Sequence, residues 1–80
     1  MQVSILAIKG AIWQGVAKQV ILPAEEGDVS ILDFHQPFLM RLRKGVVTIE
    51  QQTMDNKQRF NIKHGLAFMK SDSLKAFVET

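Results

Sequence analysis

The sequence predicts an all-β fold, a single antiparallel β-sandwich of about eight to ten short strands. Valine and isoleucine supply seven residues each, and these β-branched residues favour strands over helices. Turn-forming residues separate the apolar runs at intervals of about eight to twelve residues, as in a sandwich or barrel of short strands. No window longer than about two turns keeps the apolar pattern of an amphipathic helix, so no substantial helix is expected.

The predicted strands extend from the first residues of the chain to the last. Residues 3–8 are apolar on both faces, which indicates a central strand or one that a partner covers. Residues 59–63 alternate, with Phe60 and Ile62 on one face and polar residues on the other, as in a half-exposed strand. The complete set of predicted strands is 3–8, 13–22, 29–32, 38–42, 46–51, 59–64, 66–69 and 74–78.

Turn chemistry separates these strands. Glycine and asparagine accept positive φ, proline fixes φ, and aspartate and serine form local hydrogen bonds to the backbone. The tryptophan and the five phenylalanines fall on strands or their edges, where core packing is the default interpretation, and the methionines are interpreted as side chains that fill gaps. The predicted turns are Lys9-Gly10, 23–27, 33–37, Lys44-Gly45, Asp55-Asn56 and 71–73.

Length and composition limit the class of protein. Eighty residues suffice for one domain, residues 1–80, and the chain has no cysteine for a disulfide or a thiolate metal site. The longest aliphatic run, residues 5–8, is far shorter than the ~20 residues of a membrane-spanning helix. The N-terminus lacks a secretory pattern, so a cytosolic chain is expected. A net charge of +2 is too small by itself to indicate a nucleic-acid partner.

Candidate catalytic groups are few, so the sequence predicts neither an enzyme nor a cofactor site. The five glycines are scattered singly and form no phosphate-binding loop. The serines have no neighbouring base and orienting group of the kind that activates a nucleophile. His35 and His64 lack the close spacing of a zinc site, and a structural role is expected for His64.

Three local clusters leave alternatives open. The acidic run of Glu25, Glu26 and Asp28 is either a docking loop or a solvated turn, because it is too compact for a calcium loop. His35, with Phe34 and Phe38 nearby, is either part of a contact patch or merely hydrogen-bonded to the backbone in a pinned loop. The basic group of Arg41, Arg43 and Lys44 could bind single-stranded nucleic acid if exposed aromatics accompany it.

One stretch of the chain is similar to a known family. Residues 22–47 read LPAEEGDVSILDFHQPFLMRLRKGVV, and the order of the proline, the Gly-acid pair, the His-x-Pro and the Gly-Val resembles the N-terminal β-sandwich domain of the epsilon subunit of F-type ATP synthases, called delta in mitochondria. Gly10, Trp13 and Gly15 are also similar to that family's opening. The resemblance covers nearly the whole chain, and residues 22–47 are its specific part.

The chain departs from the family pattern at three places. Asp33-Phe34 replaces a usual Pro-Gly, Lys44 replaces a proline, and Lys63-His64-Gly65 stands where Ser-Gly-Gly is common. We therefore expect an altered backbone before His35. In many members a two-helix domain that inhibits ATP hydrolysis, and in some binds ATP, would begin where residue 80 stands. That helical hairpin is not expected in residues 1–80, either because the protein is naturally short or because the sequence is truncated, so the inhibitory function and the nucleotide site are not expected here.

The resemblance implies a function that is mechanical. The chain would be a non-catalytic central-stalk (rotor) subunit of a proton-translocating F-type ATP synthase, linking the gamma subunit to the c-subunit ring and coupling ion flow to ATP synthesis. It would be peripheral to the membrane, at the cytoplasmic face of the bacterial inner membrane, with no cofactor and no nucleic acid partner. The alternative from the residues alone is a small β-barrel that binds single-stranded nucleic acid.

The resemblance also implies which surfaces make contact. By position, the family's ring-facing residues correspond to residues 25–31 and 33–38, which are expected as two adjacent loops at one end of the sandwich. A stalk subunit should also have an apolar edge or face that stays exposed until gamma covers it. The candidate contacts with the c ring are Glu25, Glu26, Asp28, Ile31, Asp33, Phe34, His35 and Phe38.

Overall fold

The computed structural model describes residues 1–51 and 57–80, and every regular element in these ranges is a strand. The all-β prediction is confirmed, with nine strands in the described residues. Within the same ranges, no helix is long and apolar enough to cross a membrane. The strands are β1 Gln2–Ala7, β2 Gly10–Val16, β3 Gln19–Ala24, β4 Gly27–Leu32, β5 Phe38–Leu42, β6 Gly45–Glu50, β7 Lys57–Ile62, β8 His64–Lys70 and β9 Ser73–Glu79.

The strands form one curled sheet whose two parts pack as the layers of a sandwich. A five-stranded layer has the order β2-β1-β9-β8-β5, and the other layer contains β3, β4, β6 and β7. β5 and β3 pair at Leu42 and Ala24, where the sheet passes from one layer to the other. Side chains from both layers pack into one hydrophobic cluster between them, so the predicted sandwich is confirmed.

One strand pair differs from the prediction of a purely antiparallel sheet. β1 and β9 run parallel, from Gln2 opposite Ser73 to Leu6 opposite Phe77, whereas the neighbouring pairs are antiparallel. These strands are the first and the last of the chain, so most of the domain connects them and no hairpin forces them to be antiparallel. The antiparallel prediction is therefore wrong for this pair.

The predicted strand 13–22 is divided into β2 and β3, because the chain changes layers after Val16. At this crossing the amide of Ala17 donates to the carbonyl of Met1 over 3.0 Å, and the amide of Lys18 donates to the carbonyl of Glu50 over 2.9 Å. A second boundary also differs, because the predicted strand 59–64 ends at residue 62 and His64 begins β8. Both breaks depend on backbone partners that are distant in the sequence.

The core follows from alternation along the strands. Trp13 is half-buried and packs against the core, as do Phe38 and Met40, while Met69 is buried. Met54 and the predicted turn at Asp55-Asn56 lie outside the described residues. The buried core residues are Met1, Val3, Ile5, Ala17, Val20, Leu22, Ala24, Ile31, Leu42, Val47, Ile49, Ile62, Ala67, Met69, Leu74, Ala76 and Val78.

Candidate partner-binding surfaces

The outer surface of the five-stranded layer carries apolar side chains that core packing does not use. In β8 the inward-pointing Ala67 and Met69 are buried, whereas Leu66 is 48% exposed. Leu39 of β5 is 75% exposed and Phe77 of β9 is 50% exposed. Neighbouring half-buried side chains extend this surface. We define the outer face as the surface formed by Leu6, Leu39, Leu66, Phe68 and Phe77.

Strand register makes the outer face continuous across β5, β8, β9 and β1. Leu39 stands opposite Phe68, Leu66 opposite Phe77, and Phe77 opposite Leu6. The rings of Phe68 and Phe77 stack with their centroids 6.0 Å apart. Side chains directly opposite one another on one face of a sheet are close enough to touch. A contiguous exposed apolar patch of this kind marks a surface that binds another molecule.

A groove of about 520 Å³ lies at one margin of the outer face. Leu66 and Phe77 line its apolar side, and Arg41 and His64 line its polar side. His64 Nε2 lies 2.7 Å from Glu79 Oε2, across the β8–β9 pair. This cross-strand pair joins β8 and β9 at this margin, in agreement with the structural role that the sequence predicts for His64.

The acidic turn, which we define as Glu25, Glu26 and Asp28, lies at the tip of the β3–β4 hairpin. Its carboxylates are exposed, and two of them face cations from β5 and the turn that follows it. Glu25 Oε1 lies 3.8 Å from Arg41 Nε, and Asp28 Oδ1 lies 3.5 Å from Arg43 Nη2. The sequence did not predict these pairs, because Arg41 and Arg43 are brought to the hairpin by the contact between β3 and β5.

The Phe34 loop, which we define as residues 33–37, is fixed by polar contacts on both sides. Phe34 has a φ of 60°, and its amide donates to Asp72 Oδ1 over 2.8 Å. The α-amino group of Met1 lies 2.6 Å from Asp33 Oδ1. The Phe34 side chain is 84% exposed. Sequence reasoning missed Asp72 and Met1 as anchors, because nothing in the residue pattern shows that the β8–β9 turn and the N-terminus meet this loop.

The side chain of His35 contacts residues close to it in the sequence. Its Nδ1 is 2.9 Å from the carbonyl oxygen of Gln36, and its ring meets Phe38 edge-on with centroids 5.4 Å apart. The backbone hydrogen bond of the pinned-loop alternative is therefore present, and the contact patch stays a prediction. His35 and Gln36 are exposed, and Phe38 is half-buried against the core.

The acidic turn and the Phe34 loop are not adjacent. The strand β4, Gly27–Leu32, runs between them, pairing along its whole length with β3. Residues 25–26 therefore stand at one end of the sandwich and residues 33–37 at the other. The expectation of two adjacent loops at one end is wrong, because residues 27–31 are strand rather than loop. Ile31 must also be corrected as a contact, since its inward-pointing side chain is 0% exposed.

The basic group is spread over separate elements of the structure. Arg41 and Arg43 each face a carboxylate of the acidic turn, which offsets the positive potential that would attract phosphates. Lys44 lies in the turn after β5, and Lys63 lies in the turn after β7. These four cations are therefore divided between two turns and one strand, rather than concentrated on one aromatic surface.

The chain is similar to epsilon chains of bacterial ATP synthases. It is 30% identical over 74 residues to ATP synthase epsilon chain 2 of Burkholderia orbicola (strain AU 1054), covering 92% of this chain and 49% of that one. It is 32% identical over 80 residues to the ATP synthase epsilon chain of Halorhodospira halophila (strain DSM 244 / SL1), covering 100% of this chain and 57% of that one. The chain thus spans about half the length of these relatives.

Solved structures share the fold. The central stalk and c-ring structure of Tetrahymena thermophila mitochondrial ATP synthase contains a chain that matches with a TM-score of 0.85 at 13% identity, covering 100% of this chain and 63% of that one. A chain in the OSCP/F1/c-ring structure of Euglena gracilis mitochondrial ATP synthase matches with a TM-score of 0.89 at 16% identity, covering 98% of this chain and 49% of that one. The family model of the ATP synthase delta/epsilon chain β-sandwich domain matches residues 1–80. The chain therefore belongs to the family of ATP synthase delta/epsilon chain β-sandwich domains.

Proposed function

We propose that this chain is a non-catalytic subunit of the central stalk, or rotor, of a proton-translocating F-type ATP synthase. It binds the gamma subunit and the ring of c subunits, and transmits rotation between them while catalysis takes place in other subunits. The match over residues 1–80 to the delta/epsilon family supports this role. Similarity to chains in central stalk and c-ring structures supports the fold that the role requires.

The exposed outer face is the observation that carries the proposal. Leu39, Leu66 and Phe77 are each about half or more exposed, and the strand register joins them with Phe68 and Leu6. A chain that works alone gains nothing from leaving such a surface in water, whereas a chain that works inside an assembly buries it there. We assign this face to the gamma subunit.

We assign the contact with the c ring to one end of the sandwich. The two candidate ends, the Phe34 loop and the acidic turn, differ in their chemistry. In the Phe34 loop, Asp33 and the nitrogen of His35 are engaged within the chain. In the acidic turn, Glu25 and Asp28 are 64% and 65% exposed and face their arginines over 3.5–3.8 Å. Exposed ion pairs of this length exchange readily for other partners. The acidic turn is therefore the proposed ring contact, and Asp33, Phe34, His35 and Phe38 form the second candidate at the opposite end.

The proposed location follows from the partners. A subunit held between gamma and the c ring is peripheral to the membrane, attached through the complex. Two relatives that align with most of this chain are bacterial chains, so the proposed site is the cytoplasmic face of the bacterial inner membrane. The role requires neither a cofactor nor a nucleic-acid partner.

Separate variants of the outer face and the acidic turn test the proposal. Leu66→Asp with Phe77→Ser should abolish co-purification with the gamma subunit, because binding would then bury a carboxylate and a hydroxyl group against an apolar surface. The matched control is Val46→Asp, which places the same charge on an exposed position of β6 in the other layer. We expect the control to retain gamma. Retention of gamma by the outer-face variant would contradict the assignment of this face.

Glu25→Ala, Glu26→Ala and Asp28→Ala together should leave gamma binding intact but weaken attachment to the c ring. Surface substitutions of this kind usually change stability by less than about 0.5 kcal/mol each, so the domain stays folded. Reconstituted membranes should show reduced proton-driven ATP synthesis. The matched variant at the other end is Phe34→Ala with His35→Ala. If this second variant alone reduces coupling, the ring contact lies at the Phe34 loop instead.

A further inference from the structure

Cations surround the apolar centre of the outer face. Arg41 stands opposite Leu66, and Lys75 stands opposite Phe68. Lys70 ends β8 on the same side of the strand as Leu66 and Phe68. Alternation along β8 and β9 directs these lysines away from the core, as their exposure confirms.

The charges on this face are unbalanced. Among the described residues, Lys70 and Lys75 have no carboxylate within 4 Å. Glu79, the carboxylate that shares this face, is paired with His64 at 2.7 Å. Arg41 is faced by Glu25 over 3.8 Å, so the positive excess of the outer face comes from Lys70 and Lys75. The outer face and the acidic turn thus present opposite signs of charge.

We propose that the surface of the gamma subunit that covers the outer face is apolar at its centre and acidic at its margin. This inference rests on the proposed function. Lys75 lies between Phe68 of β8 and Ser4 of β1, so a partner that covers the aromatic rings also covers the ammonium group. A desolvated ammonium group requires a carboxylate or carbonyl partner, because burial without one is strongly unfavourable.

The opposite charges also separate the two partners of the chain. A surface with acidic margins is attracted to Lys70 and Lys75 and repelled by the acidic turn. Complementary potentials steer diffusing proteins together and suppress wrong pairings. The charge pattern therefore orients the chain during assembly, with the outer face toward gamma and the acidic turn away from it.

Charge reversal measures this steering. In Lys70→Glu with Lys75→Glu, the association rate constant with the purified gamma subunit should fall about tenfold at low salt. The matched control is Arg59→Glu with Lys63→Glu, which changes the net charge equally at exposed positions on β7 and in the turn after it. The control rate should stay within about twofold of the unmodified chain. At ~1 M salt, where the Debye length is about 3 Å, the difference between the two variants should disappear.

Each result has a defined meaning. Equal effects of the two double variants, or a faster rate for the outer-face variant, would overturn the inference. The milder pair Lys70→Gln with Lys75→Gln should give an intermediate rate, which separates loss of steering from misfolding of the charge-reversed chain. An unmodified chain that binds gamma without any dependence on salt refutes this inference alone. An unmodified chain that does not bind gamma refutes the proposed function and this inference with it.

Discussion

At the scale of single residues, Phe34 combines a strained backbone with an exposed aromatic ring. Its φ of 60° lies in the left-handed region, which is unfavourable by about 1–2 kcal/mol for a residue with a Cβ atom. The hydrogen bond from its amide to Asp72 Oδ1 helps to hold this conformation. The family pattern has glycine at this position, and the observed φ explains why glycine suits it. Phe34 therefore adopts a backbone conformation that favours glycine, and an altered loop backbone relative to the family stays a prediction.

Replacing Phe34 with glycine should stabilise the isolated chain. Relief of the left-handed strain exceeds the entropy that glycine adds to the unfolded state, which is about 0.5–1 kcal/mol. Little burial is lost, because the ring is 84% exposed. We expect the free energy of unfolding in urea to rise by about 0.5–1 kcal/mol. Phe34→Ala is the matched control, since its Cβ retains the strain. A glycine variant less stable than the alanine variant would show that the ring contributes contacts that the exposure does not reveal.

At the scale of elements, the sequence predicted strands well where hydrophobic alternation is sufficient. Residues 38–42 are predicted and observed as the same strand, β5. Residues 13–22 are predicted as one strand but belong to two, because hydrogen bonds from Ala17 and Lys18 to distant carbonyls set the break between β2 and β3. The error in placing the two loops has a similar cause. A resemblance shows which positions along the chain correspond to contact residues. Only the pairing of β3 with β4 shows that the acidic turn and the Phe34 loop lie at opposite ends of the sandwich.

The close approach of β8 to β9 depends on Gly65. A Cβ at this position would lie 2.5 Å from the carbonyl oxygen of Phe77, so Gly65→Ala must push the two strands apart. We expect a loss of about 1–3 kcal/mol, and a decrease in melting temperature of about 4–8 °C for each kcal/mol in a domain of this size. The exposed neighbour Leu66→Ala is the control and should change stability by less than about 0.5 kcal/mol. Equal melting temperatures for the two variants would contradict the close packing.

At the scale of the whole molecule, the inward and outward faces of the two layers differ in what they pack against. The inward faces of both layers form a core with no buried polar or charged side chain among the described residues. The outward face of the five-stranded layer instead carries exposed leucine and phenylalanine side chains. Composition could not reveal this surface, because 46% apolar residues is typical of any globular domain. The resemblance indicates the candidate contacts with the c ring, whereas the strand register is what shows that the outer face is continuous.

The central claim is that the outer face is covered by the gamma subunit in the assembled stalk. Hydroxyl-radical footprinting with mass spectrometry, comparing the isolated chain with the complex of chain, gamma and c ring, tests it most directly. The account predicts strong labelling of Leu39, Leu66 and Phe77 in the isolated chain and protection of all three in the complex. Val46, exposed on the other layer, should be labelled equally in both. Labelling of the three outer-face residues that does not change on assembly, or protection of Val46 in their place, would contradict the account.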